Sequence, residues 1–230
     1  MYEQARKYFS ENKGMWLTFS IILAAGGLFA SVAVMCDVDG KIAVFVLAIA
    51  LLIGAFFCFK TAFSQGNAEA DAAYDQLATG MMKFSKDDAL AALGLDESEV
   101  TEAAPVCISG YSFDGAEHVK LGADSKWRSN RFETWYLFFS KNEVHCCKKT
   151  IKTTADWKTE STDVYFYKDI VSVSTTSESK TVLNKHIDYD CFVLTTAGGT
   201  AFKVSLKDVD DAQRSVNAMR SLLRAKKQEG

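Results

Sequence analysis

The sequence predicts an α+β membrane protein with an N-terminal transmembrane helical hairpin, a short acidic helical segment and an antiparallel β-barrel or sandwich closed by a C-terminal amphipathic helix. Three observations predict this fold class. Two runs without a charged side chain occupy residues 15–36 and 42–59. After residue 105, β-branched and aromatic residues alternate with turn signals. The end of the chain repeats apolar residues at helical spacing. The predicted domains are 1–14, 15–63, 64–104 and 105–230.

The two apolar runs are long enough for membrane spans. The first has 22 residues and the second has 18, and we take the second span to end at residue 63. About 20 apolar residues cross the hydrocarbon core of a bilayer as a helix. Only residues 37–41 separate the runs, which predicts a hairpin that crosses the membrane twice.

Basic residues near the span ends predict the orientation. Arg6, Lys7 and Lys13 precede the first span and Lys60 ends the second, whereas the connecting loop has only Lys41. Because basic residues favour the cytoplasmic side, both termini are expected in the cytoplasm of a multi-pass cell-membrane protein. The alternative is a cleaved signal peptide followed by one anchor. The first run is longer than the usual signal core of about 7–15 residues, which favours the intact hairpin.

Small residues predict how the two helices pack. Small residues four apart let helix backbones approach closely. They leave two alternatives, packing within one hairpin or association with a second copy or a larger membrane complex. The candidate positions are Gly26, Gly27, Ala30, Ser31, Ala50 and Gly54.

Composition argues against several functional classes. The net charge of −3 gives no reason to expect nucleic acid as a partner. No ionisable residue lies in the middle of either span, so the hairpin is expected to be an anchor rather than a channel or transporter. The six cysteines contain no CxxC pair, which fits a reducing compartment without disulfides.

The segment 64–104 is expected to be an acidic helical connector. Residues 65–117 contain 11 acidic and 2 basic residues. Ser85 is a predicted N-cap and Gly94 a predicted left-handed C-cap. The two readings of this segment are a solvated spacer and an acidic docking face for a basic partner.

Residues 105–230 predict a β domain that ends in one helix. Val216, Met219 and Leu223 recur at alternating spacings of three and four, together with Val209 and Ala212, behind a predicted cap at Asp208. This stripe is expected to face the core, with a short coiled coil as the alternative. The predicted strand segments are 106–113, 135–139, 144–151, 163–167, 170–174, 191–196 and 200–206, the last two joined through a turn at 197–199.

This order of elements resembles the bacterial pleckstrin-homology-like fold. The segment YKDIVSV at 167–173 is similar to a stretch of bacterial members and of the related GRAM domains. The resemblance covers about residues 105–226. It implies a partly open seven-stranded barrel with one end plugged by the C-terminal helix. It also implies a domain that binds a lipid headgroup, a peptide or another protein, without catalysis of its own.

No catalytic or metal-binding pattern stands out. His145, Cys146 and Cys147 are adjacent, but alternation along a strand sends Cys146 to the face opposite the other two. A zinc site needs three or four converging ligands. We therefore expect neither an enzyme nor a cofactor or metal site.

The predicted function is a membrane-anchored cytoplasmic binding or scaffold module, with another protein as the expected partner. The alternative is a sensor of anionic lipid headgroups in the bilayer. Basic residues near an anionic leaflet gain about 1 kcal/mol each. The candidate lipid-binding residues are Lys126, Arg128, Arg131, Lys148 and Lys149.

Overall fold

The computed structural model describes residues 1–10, 13–35, 41–63, 68–206 and 209–229. The chain divides into two compact units. Unit 1 comprises Met1–Phe9 and Asn67–Gly230, and unit 2 comprises Ser10–Gly66. The chain therefore leaves unit 1 after its first helix and returns to it after unit 2.

Helices and strands alternate in blocks along the described chain. The helices are α1 (Tyr2–Phe9), α2 (Lys13–Met35), α3 (Lys41–Phe63), α4 (Ala68–Met81), α5 (Lys86–Leu93) and α6 (Val209–Glu229), with short 3-10 helices at Glu97–Glu99 and Tyr167–Asp169. The strands are β1 (Ala103–Tyr111), β2 (Val119–Leu121), β3 (Trp127–Ser129), β4 (Arg131–Phe139), β5 (Glu143–Lys152), β6 (Lys158–Phe166), β7 (Ile170–Val182), β8 (Lys185–Thr196) and β9 (Gly199–Ser205).

The strands form three antiparallel sheets. One has the order β1-β4-β5-β6, one is the hairpin β2-β3, and one has the order β7-β8-β9. The hairpin β2-β3 is inserted between β1 and β4. None of the three sheets is closed, because in the described chain β1 has only β4 as a ladder neighbour and β9 has only β8. The predicted antiparallel barrel, which the resemblance implied to be partly open and seven-stranded, is therefore wrong: the described strands form three separate open sheets.

The main core of unit 1 lies between the larger sheets and α6. Trp135 stacks on Phe202 with ring centroids 4.5 Å apart, and Phe192 stacks on the other side of Phe202 at 5.8 Å. From α6 the core receives Val216, Met219 and Leu223, as the apolar stripe predicted. The other predicted stripe residues and the cap at Asp208 are not among the side chains that the structure describes.

Three helices that precede the strands in the sequence, α1, α4 and α5, also belong to unit 1. Tyr8 of α1 stacks on Tyr74 of α4, with ring centroids 4.2 Å apart, within a second core that includes Tyr111 and Phe132. Helix α5 packs through Ala89 and Leu90 against Phe138 and Cys147 on the outer face of the first sheet.

The predicted caps of α5 are confirmed. The Ser85 hydroxyl oxygen accepts a hydrogen bond from the backbone N–H of Asp88, and the Asp88 carboxylate accepts one from the backbone N–H of Ser85. Gly94 has φ +66°, the left-handed conformation that ends the helix.

Unit 2 is a pair of packed helices, α2 and α3. The Ser20 hydroxyl donates to the carbonyl of Ala55 at 3.1 Å. A Cβ on Gly27 would lie 2.9 Å from Cγ of Leu52, so a small residue at 27 is what allows this approach. Ala48 and Ala55 are buried, whereas Ala50 is exposed.

The other predicted packing positions also lie in unit 2. Gly26 faces Leu51 and Gly54 faces Leu23, each at 3.6 Å from an ideal Cβ. Ser31 donates to the carbonyl of Gly27 within its own helix, and Ala30 is half-buried. Many larger apolar side chains of this unit are exposed, among them Ile21, Phe29, Phe45 and Phe56.

The membrane part of the predicted fold class is corrected by the structure. Among the described residues, no helix is both long and apolar enough to cross a bilayer. The predicted transmembrane hairpin, the multi-pass cell-membrane localisation and the orientation derived from it are therefore contradicted. The predicted loop residues 37–40 lie outside the described residues.

Candidate functional site

Two cavities of unit 1 form the candidate site, which we call the inter-sheet groove. Each has a volume of about 250 Å³, and they share Phe113, Tyr189 and Ser205. The first cavity is lined by Asp75, Tyr111, Phe113, Asp124, Ser125, Lys126, Trp127, Arg128, Asp188, Tyr189, Asp190, Ser205 and Leu206. The second is lined by Ser112, Phe113, Asp114, Glu133, Glu178, Ser179, Lys180, Tyr189, Lys203 and Ser205.

The turn between β2 and β3 supplies one wall of the first cavity. Ser125 adopts φ +60°, and its N–H donates to the carbonyl of Gly122 at 3.1 Å. A Cβ at Gly122 would lie 2.2 Å from Nη1 of Arg128 and 2.9 Å from the Asp71 carboxylate. Glycine at this position is thus required for the arginine to pass under the turn.

Arg128 is the electrostatic centre of this wall. Its guanidinium donates to both oxygens of Asp75 from α4 and to both oxygens of Asp124, at 2.8–2.9 Å. The bond from Arg128 also holds the pKa of Asp124 below its ordinary value. Tyr111 adds a hydroxyl donor to Asp75. Two of the four carboxylates of the first cavity therefore share one buried cation.

The opposite wall, from β8, keeps its negative charge. Asp188 and Asp190 accept hydrogen bonds from the hydroxyls of Ser179 and Ser177. The imidazole Nε2 of His186, which is itself exposed, lies 3.3 Å from Oδ1 of Asp188. Within the described chain, neither carboxylate forms an ion pair with a lysine or arginine.

A buried carboxyl group lies at the floor of the second cavity. Glu133 is 4% exposed, and burial raises its pKa, opposed by Lys148 with its Nζ 3.3 Å from Oε2. Above it, the ion pairs Lys180–Asp114 and Lys203–Glu178 link different strands and loops of the cavity wall. The second cavity is therefore nearly balanced in charge, whereas the first is acidic.

The structure does not gather the five predicted lipid-binding residues at one surface. Lys126 and Arg128 both line the first cavity, where Arg128 is paired as described. Lys148 reaches Glu133 and the Trp135 ring, and Lys149 donates to the Lys83 carbonyl beside Phe84. Arg131 lies over the ring of Trp157 at 4.6 Å.

The adjacent histidine and cysteines separate as strand alternation predicts. Cys146 packs in the main core, and Cys147 packs on the opposite face against α5. Nε2 of His145 lies 3.2 Å from the Ser140 hydroxyl and 3.4 Å from Glu143. Over the described part of the chain, no three metal-binding side chains converge.

Sequence reasoning missed the residues that make the groove acidic. Asp71 and Asp75 lie four apart on α4, and the spacing alone could have placed both on one face of that helix. That face packs against the sheets: Tyr8 donates to Asp71 at 2.7 Å, and the N–H of Ala123 donates to its other oxygen. Asp188 and Asp190 flank Tyr189 on β8, and no local signal identified them.

No protein-family model and no curated protein matches this chain.

Proposed function

We propose that unit 1 is a non-catalytic binding module whose inter-sheet groove receives a lysine or arginine side chain from a basic segment of a partner protein. The observation that carries this proposal is the pair Asp188 and Asp190, two carboxylates that form no ion pair with a lysine or arginine in the described chain. They lie on the wall of a cavity that is also lined by Trp127 and Tyr189.

The chemistry of the first cavity fits a cationic side chain. A carboxylate forms strong charge-assisted hydrogen bonds with ammonium and guanidinium groups. An aromatic face within about 6 Å adds a cation–π attraction. The ammonium of Lys185 lies 5.9 Å from the Trp127 ring centroid, at the outer limit of this attraction.

The size of the cavity favours one side chain over a whole small molecule. Its volume of about 250 Å³ is below the range of about 300–1,000 Å³ that is usual for sites enclosing a drug-sized ligand. A basic peptide lying along the groove would insert one residue and leave the rest of its length on the surface.

The resemblance to pleckstrin-homology-like domains supports a binding role. The resemblance rests on a run of antiparallel strands followed by one amphipathic helix, which here are β1–β9 and α6. The inserted hairpin β2-β3 is an addition to that order, and its turn forms part of the proposed site. Members of that family bind a ligand and lack catalysis of their own, which is why we propose a module and not an enzyme.

The alternative, a sensor of anionic lipid, has less support from the arrangement of charges. Of its five candidate residues, Arg128 is bound by two carboxylates and Lys148 by one. Freeing Lys148 for a phosphate group would leave the buried carboxylate of Glu133 without its partner, and freeing Arg128 would do the same to the half-buried Asp75.

The test is a binding titration of the full chain with labelled peptides. A decapeptide of alternating lysine and glycine is compared with its glutamate counterpart and, separately, with vesicles containing phosphatidylserine. We expect binding of the lysine peptide only, weakened by salt. We expect the double variant D188N/D190N to weaken it at least about tenfold, a loss of about 1.4 kcal/mol.

The matched control is Asp87→Asn, which removes one exposed carboxylate of α5 away from the groove and should leave binding unchanged. Binding of the lysine peptide that survives the double variant overturns the assignment of the groove. Vesicle binding without peptide binding overturns the proposed partner class and supports the lipid alternative.

A further inference from the structure

Strand β6 is an open edge of the first sheet. It pairs with β5 along its whole length, and the described chain places no strand on its other side. Eight of its nine residues are exposed and Tyr165 is half-buried. An uncovered strand edge offers a row of unpaired backbone groups to another strand.

The pairing with β5 fixes which backbone groups point outward. The N–H of Lys152 donates to the carbonyl of Trp157 at 2.9 Å, and the N–H of Tyr167 donates to that of Asn142 at 3.1 Å. In an antiparallel ladder every second residue bonds to the neighbour, so residues 159, 161, 163 and 165 bond to β5. The outward-pointing backbone groups belong to Lys158, Glu160, Thr162, Val164 and Phe166.

Strand β7, at one edge of the β7-β8-β9 sheet, is partly covered, whereas no described strand covers β6. Strand β7 carries a register break between Ile170 and Ser172, and Arg220 of α6 donates to the carbonyl of Val173 at 2.8 Å. Strand β6 has an uninterrupted register and contains no proline. It also exposes apolar side chains at the edge: Val164 is 47% exposed and Phe166 is 48% exposed.

We propose that β6 pairs with β6 of a second copy of this chain, antiparallel, with the twofold axis at Thr162. In this register all five outward residues find partners: Lys158 faces Phe166, Glu160 faces Val164, and Thr162 faces itself. Among the residues whose backbone groups bond to β5, Ser161 faces Asp163 and Thr159 faces Tyr165 of the other copy. No two like charges stand opposite each other.

Neighbouring registers either set like charges opposite each other or leave an outward residue without a partner. An axis at residue 160 sets Glu160 against Glu160, and an axis at residue 163 sets Asp163 against Asp163. Directly opposed like charges destabilise a strand pair. An axis at residue 161 avoids this but leaves Phe166 without a partner. The register centred on Thr162 also sets the Lys158 ammonium beside the Phe166 ring of the other copy, a favourable cation–π pair.

This interface is separate from the inter-sheet groove, whose walls come from α4, β1, β3, β4, β7, β8, β9 and the β2-β3 turn. It does not depend on the proposed function. A second copy fits the edge better than an unrelated peptide because the strand is complementary to itself in charge and in length.

Register-specific cross-linking of the full chain tests the proposal. In the proposed pair the two Cα atoms at 162 are about 5.5 Å apart, within the range of about 4.4–6.8 Å that a disulfide requires. We expect T162C to form a covalent dimer under mild oxidation and E160C to form none above the wild-type background. Equal cross-linking of both variants, or none by T162C, overturns the register.

The second measurement is sedimentation velocity over a concentration series. T162D places two carboxylates on the axis and should weaken the dimer at least about tenfold, whereas T159D, opposite Tyr165, should leave it near wild type. A wild-type chain that stays monomeric overturns the proposal. Association that T162D leaves intact also overturns it and assigns the contact to another surface.

Discussion

The guanidinium of Arg128 binds both carboxylate oxygens of Asp75, with 2.8 Å from Nε to Oδ1 and 2.9 Å from Nη2 to Oδ2. The two residues are 53 positions apart, one on β3 and the other on α4. This ion pair links α4 to β3 and at the same time forms part of the wall of the inter-sheet groove. Helix α4 is thus both a structural element and a contributor to the candidate site.

Replacing Arg128 with methionine should destabilise unit 1 by about 1–3 kcal/mol, because the half-buried carboxylate of Asp75 would lose its cation, whereas the exposed Asp124 can be solvated by water. Urea unfolding followed by tryptophan fluorescence measures this. The control is Lys86→Met, which removes the exposed ion pair with Glu97 and should have a much smaller effect. Equal losses for the two variants would contradict the central role of Arg128.

Tyr8→Phe should loosen α1 without disturbing the β7-β8-β9 sheet. The Tyr8 hydroxyl donates to Asp71 at 2.7 Å, and a hydrogen bond to a charged group contributes about 1.5–3 kcal/mol. Amide hydrogen exchange in residues 2–9 should therefore become about 10- to 150-fold faster. Tyr2→Phe, which removes an exposed bond to Asp156, is the control. Unchanged exchange in α1 would show that ring stacking alone holds the helix.

Glu133→Gln should make the protein more stable at neutral pH. Burial raises the pKa of Glu133, so the folded state holds this proton more tightly than the unfolded state. Its contribution is favourable below the ordinary glutamate pKa and is lost as the pH rises above that value. As the pH rises from 4 to 8, the unfolding midpoint of the variant should therefore fall less steeply than that of the wild type.

Glu117→Gln is the control for this pH profile, with the opposite sign. The bond from Lys152 lowers the pKa of Glu117, so its stabilising effect is present at neutral pH and fades as the solution is acidified. A Glu133→Gln variant that loses stability at pH 7 would show that the ion pair with Lys148 outweighs burial.

Gly110→Ala should destabilise unit 1, because a Cβ at this position of β1 would lie 1.8 Å from the carbonyl oxygen of Ser205 on β9. The backbone itself must move, so we expect a cost of about 1–3 kcal/mol or more. Gly80→Ala is the matched control: it meets no atom within 4 Å and lies in α4, where alanine should stabilise by about 1 kcal/mol. Thermal unfolding of both variants checks the pair, and similar midpoints would refute the close approach of β1 and β9.

Local patterns predicted several elements well. The strand segment 144–151 lies within β5, the hairpin turn at 197–199 joins β8 to β9, and the caps of α5 are at Ser85 and Gly94. These features depend on residues close together in sequence. The hairpin β2-β3 was missed because each of its strands has three residues, too few for an alternating pattern to be recognised.

The long apolar runs led to the wrong membrane assignment. Their composition predicted two spans, whereas among the described residues no helix is long and apolar enough to cross a bilayer. Small residues within the same runs do lie where the helices meet, as Gly27 does against Leu52.

The sequence by itself determined the caps of α5, the turn at 197–199 and the apolar face of α6, because each is set by neighbours a few residues away. The tertiary structure alone decided which carboxylates Arg128 binds. Within the described residues it also decided which carboxylates on β8 lack a lysine or arginine partner and which strand edge stays open. Those outcomes depend on charges and backbone groups brought together from distant positions, such as Asp75 and Arg128, and no local pattern encodes their separation in space.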